Sequence, residues 1–144
     1  MSKQTILPEG WRRPRGYSNA VVASGRQVYV AGQVGWNAEE TFVSADFADQ
    51  AVQTLRNIVD VLAAAGAGPQ HIVRMTWYVV DKAEYLASLQ VVGEAYRKII
   101  GRHFPAMTAV EVTALIEDEA RVDRALGRLL GLRRELLGRE NFVD

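Results

Sequence analysis

The run Ile72 to Val80 constrains this chain more than any other stretch. Strand alternation puts Val73, Met75, Trp77 and Val79 on one side and Thr76, Tyr78 and Val80 on the other. Neither side is convincingly polar. A strand that is apolar on both faces has to be covered on both.

One cover is legible in the flanking segments. Asp46 is placed to cap a helix, and Phe47, Ala51, Leu55, Ile58 and Leu62 follow in steps of three and four. Gly66, Gly68 and Pro69 stop that helix. Asp81 and Glu84 open a second one, with Leu86, Leu89, Gly93, Tyr96 and Ile100 down one side and Gly101 at its end. Upstream, Tyr17 to Ala23 and Gln27 to Val34 read as two β runs joined through Ser24-Gly25-Arg26, which predicts a hairpin. Gly32 interrupts the second run, as a glycine does at a bulge or where backbone or ligand approaches closely. Downstream, Pro105 ends whatever helix precedes it. From there Met107, Ala109 and Glu111 face one way and Thr108, Val110 and Val112 the other.

The order strand, strand, helix, strand, helix, strand predicts an α+β sandwich: one mainly antiparallel sheet with both helices on one face. The face left bare carries an apolar side of the 72–80 strand. Self-association through it is therefore expected.

Composition narrows the function. At 144 residues the chain is expected to form a single domain, with residues 1–15 an extended arm punctuated by Pro8, Gly10 and Pro14. Seventeen basic residues balance seventeen acidic ones, so no net field favours nucleic acid or an anionic membrane as a partner. Arg12, Arg13 and Arg15 in the arm read as solvated charges. The absence of cysteine excludes disulfides and thiolate chemistry. With no leader-like or membrane-length apolar run, a soluble cytoplasmic protein is expected. His71 and His103 have no partners at ligand spacing, so neither a metal nor another cofactor is expected.

The segment Phe104-Pro105-Ala106-Met107-Thr108-Ala109-Val110-Glu111-Val112 resembles the signature strand of the RidA/YjgF family, first described under the endoribonuclease L-PSP label. Gly16-Tyr17-Ser18-Asn19-Ala20-Val21 and Val28-Tyr29-Val30-Ala31-Gly32-Gln33-Val34 extend the likeness, which covers roughly residues 14–122. The resemblance implies a chorismate-mutase-like, ferredoxin-like sandwich and a homotrimer with small-molecule sites between subunits. It also implies hydrolysis of reactive enamines and imines to keto acids and ammonia. The pocket it implies corresponds to Tyr17, Gly32, Gln33, Gln90 and Met107.

Two departures stand out. Active family members carry, after Pro-Ala, an arginine that clamps the substrate carboxylate; here that residue is Met107. A thioether has no hydrogen to donate, so weak or altered activity and a neutral or apolar ligand are expected. The family's water-positioning glutamate lies in the final strand, and its matching place falls near Ala125, so that acid is expected to be missing. Glu111 shares the side of Met107 and remains a candidate acid or base, although a structural carboxylate at a subunit interface is the commoner role. The alternative function is a non-catalytic trimer that binds a small metabolite or a protein.

After Val122 the resemblance stops. Leu126, Leu129, Leu130, Arg133, Leu136 and Leu137 follow helical spacing, so a helical tail over 123–144 is expected, weakened by Gly127, Gly131 and Gly138. A natural replacement of the strand and a coding-frame change near Val122 both remain open as its origin.

Overall fold

The computed structural model describes residues 2–42 and 44–130. Helix α1 (Phe47–Ala64) starts where the Asp46 carboxylate accepts the Asp49 N–H at 3.0 Å. Its whole expected stripe, Phe47, Ala51, Leu55, Ile58 and Leu62, is buried. It stops as the glycines require. Gly66 adopts φ 72°, its N–H reaches the Ala63 carbonyl, and the Ala67 N–H reaches that of Leu62 at 2.8 Å. That paired closure is the Schellman arrangement, which needs a residue at ease in left-handed backbone.

The strands are β1 (Ser2–Ile6), β2 (Ala20–Ser24), β3 (Gln27–Val34), β4 (Arg74–Val79), β5 (Ala106–Glu111) and β6 (Val122–Leu130). Four of them form one sheet in the order β3-β6-β4-β5. The β3/β6 and β6/β4 pairs are antiparallel; β4/β5 is parallel, with Met75 beside Met107 and Tyr78 beside Val110. On the inner face Met75, Trp77, Val79, Val30 and Val122 pack with the stripe of α1 and with Val92, Tyr96 and Ile100. On the outer face Thr76 and Tyr78 are half-buried, Val110 is exposed, and Tyr29, alternating with the inward Val28 and Val30, is 71% exposed. The α+β sandwich and the bare apolar face follow the expectation.

Four local expectations do not hold. The hairpin expected between the runs Tyr17 to Ala23 and Gln27 to Val34 is absent: β2 ladders to β1, from Ser2 opposite Ser24 to Ile6 opposite Ala20, while β3 ladders to β6. The arm over 1–15 therefore begins with a strand. Ser2-Lys3-Gln4-Thr5 shows no apolar alternation, and what holds it is distant backbone: the Lys3 ammonium donates to the carbonyls of Gln70 and Ile72 at 3.1 and 3.0 Å. The second helix is broken at Ser88 into α2 (Lys82–Ala87) and α3 (Leu89–Ile99). The break turns Leu86 and Leu89 outward, so the buried stripe begins at Val92 instead.

The fourth correction concerns the tail. Residues 122–130 form β6, in the middle of the sheet, not a helix. The reason is the ladder. As a helix the segment would leave one edge each of β3 and β4 with unpaired backbone groups, whereas as a strand it satisfies both. Residues 131–144 lie outside the described residues, and with them the rest of the expected helical tail.

Three side chains fasten β6 to the helices. Gln50, 1% exposed on α1, donates from Nε2 to the carbonyls of Ser44 and Glu119 and accepts the Arg121 N–H at 2.8 Å. Arg121 in turn pairs with Glu84 of α2 at 2.7 Å, a hydrogen bond that raises the arginine further above its usual range.

Candidate functional site

The segment before β2 is pinned to the start of β5. Ser18 donates its N–H to the Pro105 carbonyl at 3.0 Å and its hydroxyl to the Phe104 carbonyl. The consequence is that Tyr17 lands beside Met107. Both line a cavity of about 470 Å³ between β5, α3 and this segment.

Its floor is apolar and aromatic. Trp77 of β4, Phe104, Val92 and Tyr96 contribute, and the Tyr96 and Phe104 rings stack at 6.0 Å. The Tyr96 hydroxyl donates to the His103 carbonyl, which anchors α3 to the loop leading into β5. The Trp77 indole N–H points at the Met107 sulfur, 3.2 Å away. Methionine thus fills the position as an apolar body and a weak acceptor. Among the described residues no acidic side chain lines the cavity. Two cations do, Arg15 at the N-terminal side and Arg97 on α3.

The five residues of the expected pocket divide into groups. Tyr17, 43% exposed, and Met107 share the cavity. Gln90 stands exposed on the first turn of α3, next to the lining residue Leu89 but outside the lining itself. Gly32 and Gln33 sit on β3, at the opposite edge of the sheet from β5. Within one chain two strands separate them from Met107.

Gly32 answers the question its position posed. The ladder slips on either side of Val30, between Val28 and Gln33, and the close approach is by a side chain. A Cβ at Gly32 would stand 2.7 Å from Asp123 Oδ1 and 2.8 Å from Oδ2. So β6 does carry an acid. It lies at Asp123, opposite Val34 and Tyr78, two positions before Ala125, where the family's glutamate was matched. The sequence signal was available in Arg121-Val122-Asp123, where apolar and charged residues alternate once the three-acid stretch Glu117-Asp118-Glu119 is treated as a loop.

Glu111 does not line the cavity. Its carboxylate accepts the Lys82 N–H at 2.8 Å, at the positive end of α2, which is a capping role. Arg15 and Arg97 were the residues sequence reasoning missed. Arg15 was legible only as one of three arm arginines, and Arg97 only as an exposed helix position. Among the described residues no cluster of three or more His, Asp or Glu side chains could hold a metal ion.

Residues 12–123 match the family model described as endoribonuclease L-PSP. A RutC family protein of Pyrococcus horikoshii is 30% identical over 117 residues, 81% of this chain and 90% of that protein. The human 2-iminobutanoate/2-iminopropanoate deaminase is 33% identical over 100 residues, 69% of each chain. Among solved structures, a Rid-family protein of unknown function from Yersinia pestis is similar at a TM-score of 0.79 and 32% identity, over 90% of this chain and 99% of that one.

Proposed function

Because this chain belongs to the endoribonuclease L-PSP family, also called RidA/YjgF, we propose that it is a cytoplasmic homotrimer that hydrolyses small imines or enamines to a ketone and ammonia. The single observation that carries this reading is the shared cavity of Tyr17 and Met107, beside the strand where the family places its substrate grip. Two strands separate Gly32 and Gln33 from β5 and one separates Asp123 from it, and a neighbouring copy packed on the bare outer face is what would bring such a set to the cavity. The exposed Tyr29 and Val110 on that face support the packing.

The chemistry asks little of the protein. Water adds to the C=N carbon, the nitrogen takes up protons, and ammonia leaves as the carbonyl forms. An acid in the final strand is suited to orienting that water, and Asp123 is the one β6 supplies. Met107 changes what the site can hold. An arginine fork gives a carboxylate two charge-assisted hydrogen bonds; a thioether already facing the Trp77 N–H gives none. Loss of one such bond costs about 1.5–3 kcal/mol, or roughly ten- to a hundredfold in rate. Turnover of the small 2-imino acids should fall by at least that factor.

Ammonia release from freshly generated 2-aminoacrylate tests the proposal, with Met107→Arg in parallel. Slow wild-type release and a faster Met107→Arg variant are expected. Wild-type release as fast as that of an arginine-bearing relative would refute the role given to Met107. No release from either protein would favour the second reading, a non-catalytic metabolite-binding trimer, to which the occupied thioether already lends weight.

A further inference from the structure

The cavity beside Met107 is apolar at its floor and positive at its mouth, and the two cations there come from separate parts of the chain. Arg15 precedes Gly16-Tyr17, and Arg97 stands one turn beyond Gly93 on α3. Both line the same hollow. The Arg97 guanidinium lies back along α3 toward Gly93, another lining residue: a Cβ there would sit in ordinary van der Waals contact with one of its nitrogens, at 3.7 Å. Among the described residues the one ion pair is Arg121 with Glu84, so neither Arg15 nor Arg97 is neutralised there. Two like charges facing one apolar hollow, with no acid among its described lining residues, repel each other, and an anion between them removes that repulsion.

We propose that Arg15 and Arg97 form a relocated anion subsite at the mouth of this cavity, which selects an organic carboxylate with an apolar or aromatic body. The body lies on Trp77, Phe104 and Met107, and the carboxylate faces the mouth instead of the strand position that Met107 occupies. The guanidinium geometry suits the task, since each fork can offer two parallel N–H donors to a carboxylate. The size of the hollow suits it as well: about 470 Å³ is far more than a three-carbon imino acid fills. This deepens the proposed function by naming the substrate class, and it rests on that reading only for the claim that the bound carboxylate is turned over.

The test is a calorimetric or NMR titration of the full-length protein with 3-phenylpropanoate and with its neutral counterpart 3-phenylpropanamide. The acid is expected to bind at least about tenfold more tightly than the amide, and the preference should shrink as salt is raised because the arginines are exposed. Arg97→Gln and Arg15→Gln are each expected to remove most of that preference while leaving amide binding intact. Arg12→Gln deletes the same charge from the same segment but outside the cavity, and should leave the preference unchanged. Equal binding of acid and amide, no binding of either at millimolar concentration, or a preference that survives both Arg97→Gln and Arg15→Gln would overturn the proposal. Ammonia release measured on the same samples separates the two ideas. A carboxylate preference without turnover leaves the anion subsite standing and removes the hydrolase, and turnover without a preference does the reverse.

Discussion

Gln50→Leu tests whether one buried amide holds the central strand to the helical layer. The side chain is 1% exposed and makes three hydrogen bonds, donating to the carbonyls of Ser44 and Glu119 at 3.0 and 2.9 Å and accepting the Arg121 N–H at 2.8 Å. Leucine fills nearly the same volume and makes none of them. The Arg121 N–H then loses its partner one residue before β6, which costs about 1–3 kcal/mol for an unsatisfied buried group. The two carbonyls belong to surface loops and can recover water, so each adds a few tenths to about 1 kcal/mol. Burial of the extra apolar surface returns part of this, and a net loss of about 2–4 kcal/mol is expected.

Against a total stability of about 5–15 kcal/mol that is a large fraction. Guanidinium unfolding at pH 7 measures it, at one protein concentration because self-association raises apparent stability. Gln50→Glu sharpens the test. Its carboxylate still accepts from Arg121 but repels the two carbonyls, so the folded state raises its pKa above the unfolded value of about 4.3. The variant should be less stable than Gln50→Leu at neutral pH and should recover as pH falls toward that value. A Gln50→Leu loss under about 0.5 kcal/mol, below the range of a single hydrogen bond, would refute the reasoning.

Three further outcomes are expected. A Cβ at Gly35 would meet the Gln50 Cα and Cβ at 2.6 Å, so Gly35→Ala should cost about 1–3 kcal/mol or more by forcing β3 off α1; Gly93→Ala has space and should be neutral or stabilising in the same melt. Burial first, and then the charges of Lys3 and His103, lower the pKa of His71, whose Nδ1 accepts the Gly68 N–H. The folded state therefore favours the neutral ring, so His71 supports stability above its unfolded pKa of about 6.5 and that support is lost as pH falls below it. Subtracting the His71→Gln profile from the wild type between pH 8 and 5 should isolate this slope, and parallel profiles would contradict it. Glu111→Ala should lower the melting temperature slightly, by the loss of about 0.3–1 kcal/mol at the α2 cap, and leave ammonia release unchanged.

How far the chain could be read in advance follows from the range of the forces involved. Helix α1, its Asp46 cap and its Gly66 stop depend on contacts within one or two turns, and they appear in the sequence as spacing and residue type. The apolar register of β4 is equally local, because a two-residue period needs no knowledge of the partner strand. Tyr17 and Met107 were placed in one site from motif likeness, and the Ser18 bonds to Phe104 and Pro105 are the physical reason they meet.

What stayed hidden depends on partners far along the chain. Polar β1 is a strand because β2 lies beside it, and β6 is a strand despite leucines at helical spacing because β3 and β4 both present open backbone to it. That Asp123 packs over Gly32, and that Arg15 and Arg97 line one cavity, became visible only once the fold had drawn distant segments together. The amino-acid order by itself settles which residues want to be buried and where helices start and stop, since those energies are summed over neighbours in sequence. Only the folded chain decides which backbone edge each strand satisfies and which charges face a common hollow, since those energies exist only once the chain has closed on itself.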